Sequence, residues 1–247
     1  MSTRPPILFP LFAELETLEG VGPKTAKAFA QMGIERPRDL LFTLPYSGID
    51  RRRSATIRGV ELPAVLTLEV VVGRHLPPRV KGRPYRVEVA DSATTFQLVF
   101  FHAREDWLKR QLPTGQRRVV SGKVELFDGI GQMVHPDHIL PPEEAGEIPH
   151  FEPVYPLTAG ITQRMIAKAA AAALARLPEL EEWIDPALRA REGWPAWDEA
   201  LRQAHAPLGQ AELAPTSPAR QRLAYDELLA HQLTLALARA ELRRGKG

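Results

Sequence analysis

Cysteine is absent from the 247 residues, which removes disulfides, thiolate metal sites and thiol nucleophiles from consideration. No apolar run approaches the ~20 residues that a membrane-spanning helix needs. The apolar patch behind Met1-Ser2-Thr3-Arg4-Pro5-Pro6 is too short for a signal peptide, so a cytoplasmic protein without membrane contact is expected. A dominant charge is missing too: 32 Lys and Arg oppose 30 Asp and Glu, leaving +2. Any footprint for a polyanion must therefore be local. The chain also lacks the Gly-x-x-x-x-Gly-Lys-Ser/Thr loop that cradles nucleotide phosphates and an acidic motif for nucleotide-bound magnesium. Gly245-Lys246-Gly247 carries only a fragment of that loop's composition, with no strand before it. No catalytic residue, metal or cofactor is expected within these residues.

What remains is ordinary globular composition, 44% apolar and 25% charged, with 23 prolines that favour short elements. The stretch Phe96 to Arg110 organises the rest. Phe96, Leu98 and Phe100 fall on one face of a strand, and Gln97, Val99 and Phe101 on the other. The strand gives way to a short amphipathic helix with Trp107 and Leu108 apolar and Arg104, Lys109 and Arg110 basic. Aromatics beside cations at one end of a sheet suit unpaired nucleic acid; the competing reading makes Phe100, Phe101 and Trp107 all core.

Residues 11 to 44 read as helical, hinged at Leu18-Glu19-Gly20-Val21-Gly22-Pro23-Lys24-Thr25-Ala26. Gly20 and Gly22 permit a tight turn, and Pro23 suits the first position of a helix. Leu18, Val21, Ala26 and Phe29 then pack across the hairpin, and the amides of Gly20, Val21 and Gly22, with Lys24 nearby, offer a phosphate seat. This is a helix-hairpin-helix pattern; its bland alternative is a packing corner. Residues 46 to 58 read as a linker whose Arg51-Arg52-Arg53 run is either a solvated face or a track for a phosphate backbone.

Between 62 and 140, alternation predicts strands Ala64–Arg74, Tyr85–Asp91, Thr95–His102, Arg117–Phe127 and Gln132–Leu140, the first buried on much of both faces. Lys81-Gly82-Arg83-Pro84, Asp91-Ser92-Ala93 and Asp128-Gly129-Ile130-Gly131 supply the turns. Five strands with a helix between the third and fourth is the order of an OB-fold barrel. Residues 150 to 208 read as helical: Thr162 caps a helix through Leu177, and Trp183, Trp194 and Trp197 serve as packing anchors. A last helix starts at Ser217 and Pro218, stacks Leu229, Leu233, Leu237 and Ala240, and ends with Arg239, Arg243 and Arg244 near its negative pole. The expected class is α+β: a helical segment over 1–60, a barrel over 61–142 and a helical region over 143–247.

Gly20-Val21-Gly22-Pro23-Lys24, Asp39-Leu40-Leu41-Phe42 and Leu44-Pro45 resemble the opening of the RecG branch-migrating DNA helicases. Leu98-Val99-Phe100-Phe101-His102, Val120-Ser121-Gly122-Lys123-Val124, Gln132-Met133-Val134-His135-Pro136, Pro153-Val154-Tyr155-Pro156-Leu157-Thr158 and Arg222-Leu223-Ala224-Tyr225-Asp226-Glu227-Leu228-Leu229 continue the likeness in order along nearly the whole chain. The resemblance implies an OB-fold wedge that sits at a fork and separates strands. It implies branched DNA, forks and Holliday junctions, as the partner, and motor domains using ATP and magnesium that are not in this sequence. Phe101 and Trp107 match the aromatics that the family stacks on the last base pairs. Gly20, Gly22, Lys24, Arg51, Arg104, Lys109 and Arg110 are the accompanying DNA-contact candidates.

Two other classes compete. A metal hydrolase draws on His135-Pro136-Asp137-His138 with Asp91 and Asp128, although a strand carrying a proline is a poor ligand scaffold. A general OB-fold protein for single-stranded DNA or RNA, or a scaffold docking partners on its last helix, fits the same fold.

Overall fold

The computed structural model describes residues 4–80 and 82–244. Residues 1–3, Lys81, the Gly245-Lys246-Gly247 tail and the Arg244 side chain, all used in the sequence reading, lie outside the described residues. The chain divides into two compact units, Ile49–Glu152 and the combination of Met1–Gly48 with Pro153–Gly247.

In the first of these units, strand β3 (Ala64–Leu76) is shared between two antiparallel ladders. Its first half pairs antiparallel with β6 (Arg117–Phe127), from Ala64 opposite Val124 to Val71 opposite Arg117. From Val71 it also pairs antiparallel with β4 (Tyr85–Ala90), with a register shift between Val72 and His75. Gly73 sits in that shift, where a Cβ would lie 3.0 Å from the Glu88 carbonyl oxygen, so the backbone of β4 approaches closely because no side chain stands there. β4 continues antiparallel to β5 (Thr95–Phe100), β5 runs parallel to β7 (Ile130–Val134), and β7 returns antiparallel to β6. These five strands close an OB-fold barrel, with β2 (Arg52–Ser54) parallel to β3 and β8 (His138–Leu140) antiparallel to β6 at its margins.

Inward side chains follow the period of two. Leu66, Leu68, Val70 and Val72 of β3 meet Val87 and Val89, Phe96, Leu98 and Phe100, and Val120, Val124 and Met133 in one core. The expectation that β3 is buried on much of both faces holds around Leu66, Thr67 and Leu68, while further along Glu69 and Val71 face outward. The predicted strand Gln132–Leu140 is two strands. His135 takes a left-handed φ of 46° and Pro136 follows, so the chain leaves the ladder after Val134 and rejoins it at His138. The stretch read as a linker also holds structure, since β2 adds to the barrel and β1 (Ser47–Asp50) forms a separate two-stranded sheet with β9 (Phe151–Val154).

The other unit is helical. Short 3-10 turns at Pro6–Phe12 and Leu15–Thr17 replace the first predicted helix, and are followed by α1 (Pro23–Ala30) and α2 (Pro37–Phe42). After α3 (Glu105–Gln111) of the barrel unit, the chain forms α4 (Gln163–Leu174), α5 (Pro186–Glu192), α6 (Trp197–His205) and α7 (Pro218–Arg244). Leu11, Leu18, Phe29, Leu40, Ile166, Ala170, Leu201 and Leu223 share its core. Residues 150 to 208 are thus not continuously helical: β9 interrupts them, and three prolines at 178, 186 and 195 keep the later helices short. Thr162 caps α4 as expected, its hydroxyl accepting from the Met165 amide. Ser217 precedes α7, but its Oγ is buried and has no hydrogen-bond partner; only its carbonyl joins the helix, accepting from Gln221 at 2.9 Å.

The helical core contains one buried imidazole. His205 is 4% exposed, donates from Nε2 to the Leu41 carbonyl at 2.9 Å, and accepts at Nδ1 from the Tyr155 hydroxyl at 2.9 Å. Burial lowers the His205 pKa and pushes the Tyr155 hydroxyl up to about 12. Because the folded pKa lies below the ordinary histidine value of about 6.5, the unfolded chain binds the extra proton first. Stability of this unit is therefore full above that value and declines as pH falls below it towards the folded pKa. Thermal unfolding followed through Trp183, Trp194 and Trp197 fluorescence should show a midpoint that drops as pH is lowered below about 6.5. In His205→Gln the slope should flatten; an equal slope in both proteins refutes the assignment.

Candidate nucleic-acid interface

Parallel pairing of β5 with β7 sets the position of the exposed aromatics. Gln97, Leu98 and Val99 stand opposite Gln132, Met133 and Val134, and the His135 amide then donates to the Val99 carbonyl at 2.8 Å. At the next rung the ladder changes character: the Phe101 amide donates to the His135 side chain, at Nε2, over 3.0 Å. The strand ends at Phe100, two residues short of the expected end at His102, which adopts a φ of 57°. Phe100 consequently points into the core at 3% exposure, while Phe101 is lifted out and is 44% exposed.

Helix α3 follows immediately. Leu108 and the adjacent Leu112 are fully buried in the barrel core, which turns Trp107 outward at 42% exposure. His75 fixes the far end of this segment, donating from Nε2 to the Leu112 carbonyl at 2.8 Å while Nδ1 accepts from the Tyr85 hydroxyl at 3.1 Å. Glu105 and Asp106 occupy the first turn and Lys109 and Arg110 the last, each favoured by the helix dipole. Arg104, Asp106, Trp107, Lys109 and Arg110 line an open cleft of about 680 Å³. Lys109 is tied to Glu105 at 2.7 Å, whereas Arg104 and Arg110 are exposed and make no ion pair among the described residues. Two half-exposed rings with two uncommitted guanidinium groups can stack bases and seat phosphates together.

The other cationic candidates part company with this cluster. Arg51 is 2% exposed, and its guanidinium donates to Asp137 at 2.9 Å, to Ser121 Oγ at 3.2 Å and to Glu152. It faces into its own unit, and the reading of Arg51 as a backbone track is corrected: burial and two carboxylates hold it inside. Gly20, Gly22 and Lys24 belong to the helical unit. Gly20 is left-handed at φ 80° and Lys24 is exposed, as the turn requires. The Val21 amide, however, donates to the Leu18 carbonyl at 3.1 Å and is not free for a phosphate. Lys168 lies over Gly20, its side chain 3.3 Å from where a Cβ would stand, and pairs with Glu19 at 2.9 Å. Leu18, Val21, Ala26 and Phe29 pack as the hairpin pattern predicts.

Residues offered as metal ligands are engaged elsewhere. His135 holds the Phe101 amide, Asp137 pairs with Arg51, and His138 Nε2 lies 3.3 Å from Glu152. Asp91 accepts from the amides of Ile57, Ala93 and Thr94 at 2.8, 2.9 and 2.8 Å. Burial alone would raise its pKa, but these amides lower it. Asp128, at φ 51°, forms the β6–β7 turn with Gly129. Among the described residues no group of three or more His, Asp or Glu could hold a metal ion.

The family model described as the RecG wedge domain matches residues 14–176. The chain belongs to the RecG wedge family. ATP-dependent DNA helicase RecG of Acidithiobacillus ferridurans is 32% identical over 230 residues, covering 91% of this chain and 32% of that protein. RecG of Escherichia coli K12 is 30% identical over 243 residues, covering 93% and 34%. A solved structure described as RecG bound to a three-way DNA junction superposes with a TM-score of 0.74 at 25% identity, covering 98% of this chain and 32% of the other. The chain spans about a third of the length of these relatives. The match to the RecG wedge includes the barrel, α3 and the turn around Gly20.

One exposed feature of this wedge escaped the sequence reading. Leu126, Phe127 and Ile130, at 63%, 58% and 45% exposure, crown the β6–β7 hairpin. The available signal was that Leu126 and Phe127 are consecutive before Asp128-Gly129, so alternation cannot send both inward.

Proposed function

We propose that this chain binds branched DNA as the wedge region of a RecG-like DNA helicase. The observation that carries this reading is the rim of exposed Phe101 and Trp107 beside unpaired Arg104 and Arg110, on a closed OB barrel. At a fork the two rings replace the stacking that bases lose when the last pair opens. Each stacked base recovers about 1–3 kcal/mol, comparable with the cost of unstacking one step. Arg104, Arg110 and Lys109 seat phosphates, and Lys24 with the Gly22 amide offers a separate seat on the helical unit. Separation by this chain is passive. Directional pulling, ATP and magnesium belong to motor domains of a longer protein, whose work on forks and Holliday junctions in cytoplasmic recombination, repair and fork reversal follows from the family. No helix among the described residues is long and apolar enough to cross a membrane.

Fluorescence anisotropy with a labelled synthetic fork, matched duplex and single strand, at two salt concentrations, tests this reading. The fork should bind most tightly, with affinity falling as salt rises. Phe101→Ala should cut the preference for fork over duplex by roughly fivefold to a hundredfold, the equivalent of one stacked base, and Trp107→Ala should act in the same direction. Equal binding of all three ligands would defeat the wedge reading. A preference for single strands that is indifferent to Phe101 would favour the general OB-fold alternative.

A further inference from the structure

We infer that His135 is the positioning residue of the wedge: its neutral imidazole, acting as an acceptor, sets the angle at which Phe101 meets a base. The inference rests on the reading of Phe101 as the stacking aromatic. Backbone and side chain of His135 do separate work. Its amide closes the last rung of the parallel ladder on the Val99 carbonyl at 2.8 Å. Its side chain then folds back and supplies the following rung itself, Nε2 accepting the Phe101 amide at 3.0 Å. An imidazole nitrogen that accepts carries no proton, so the proton of neutral His135 sits on Nδ1.

The ring also touches both phenylalanines. It meets Phe100 edge-on, with centroids 6.0 Å apart at 87°, and lies tilted by 32° against Phe101 at 5.8 Å. One side chain thus bridges the buried ring and the exposed ring. Two left-handed residues without glycine's freedom, His135 at 46° and His102 at 57°, bracket this arrangement. Such backbone is held only where the surroundings over-determine it. Removing the acceptor leaves the Phe101 amide to solvent and frees the chain between Phe100 and Ala103 to rotate.

The test uses the full chain and four proteins: wild type, Phe101→Ala, His135→Phe and His135→Gln. The phenylalanine variant keeps a ring without an acceptor, and the glutamine variant keeps an acceptor without a ring. Fork-to-duplex affinity ratios are measured for each, with 2-aminopurine at the junction base as a stacking signal. His135→Phe should lower the ratio roughly threefold to tenfold, the weight of one neutral hydrogen bond, and weaken the 2-aminopurine quench. His135→Gln should stay within about twofold of wild type, since the acceptor is retained. If Phe101→Ala loses the preference and His135→Phe keeps it, the positioning role is wrong while the wedge reading survives. If Phe101→Ala changes nothing, the wedge reading fails, and the hydrogen bond is judged separately by imidazole nitrogen NMR on wild type. That spectrum, which needs no variant to fold, should show Nε2 unprotonated and coupled to the Phe101 amide; a proton on Nε2 overturns the inference.

Discussion

Arg222→Ala should destabilise the helical unit by about 3–5 kcal/mol, the cost of removing one partner from a buried ionic cluster. The Arg222 side chain is fully buried near the start of α7. It donates to Glu182 through two nitrogens at 2.9 Å, to Asp226 at 2.9 Å and to the Pro195 carbonyl at 3.2 Å. Its guanidinium carbon also stands 5.1 Å from the centre of the Trp183 ring. The arginine thus ties the extended segment before α5 to the long helix, and its loss strands two carboxylates. A fall in melting temperature on the order of 10–20 °C is expected, read through Trp183 fluorescence. The cluster has a pH signature as well. Arg222 pulls the Glu182 carboxyl down to about 2, against the opposing effect of burial and with help from the Ile184 amide and Arg189. A depressed folded pKa means stability that is present above the ordinary glutamate value and lost as pH falls towards 2. That acid-dependent loss should be shallower in Arg222→Ala. A variant that melts like wild type, with the same acid profile, would remove the cluster from any account of this fold.

Arg51→Ala is the second large effect, and it separates a structural cation from a DNA-contacting one. Arg51 holds Asp137 and Glu152 beneath a Thr67–Ser121 hydroxyl pair 2.8 Å apart. The Glu152 carboxyl is lowered first by its bond to His138 and then by Arg51. Deleting the guanidinium should cost the barrel unit about 3–5 kcal/mol. The salt dependence of DNA binding should change by less than one phosphate's worth, about 0.9 in the logarithmic slope for duplex DNA. Arg110→Ala should behave in reverse, with stability within about 0.5 kcal/mol of wild type and a slope reduced by close to that amount. Unfolding monitored by far-ultraviolet dichroism, together with anisotropy across a salt series, measures both. If Arg51→Ala reduces the slope without loss of stability, its role as a buried structural cation of the barrel unit is wrong.

These two arginines show where the sequence was legible. Alternation located the five strands that close the barrel, because a period of two is visible wherever one face is buried, but not β2, which lies in the stretch read as a linker. The exposure of Trp107 follows from a local fact, since a short helix with Leu108 facing in must turn Trp107 out, whereas the ladder ends at Phe100, two residues before the expected end, where the distant His135 takes the next amide. Arg51 was opaque for the opposite reason. Its neighbours in sequence are Asp50 and Arg52, but its partners Asp137 and Glu152 lie far along the chain, and nothing in Asp50-Arg51-Arg52-Arg53 distinguishes a buried arginine from solvated ones. The break between β7 and β8 was half visible, since Pro136 marks it, whereas the left-handed turn of His135 is dictated by tertiary packing. The second and third short helices of the region after β9 were overrun by an alanine-rich composition that favours helix everywhere.

The discontinuity of the helical unit has a consequence for how the protein is made. Leu11, Leu18, Phe29 and Leu40 find their core partners in Ile166, Ala170, Leu201 and Leu223, which leave the ribosome only after the entire Ile49–Glu152 unit has emerged. At ordinary elongation speeds that delay is on the order of ten seconds or more. The barrel can complete its pairings first, within the milliseconds to seconds usual for such topologies. The first forty-eight residues meanwhile wait with their leucines uncovered. Nascent-chain chaperones would meet this protein at the segment holding Leu11, Leu18 and Leu40, and a ribosome stall before α4 would leave a finished barrel preceded by that segment without its core partners.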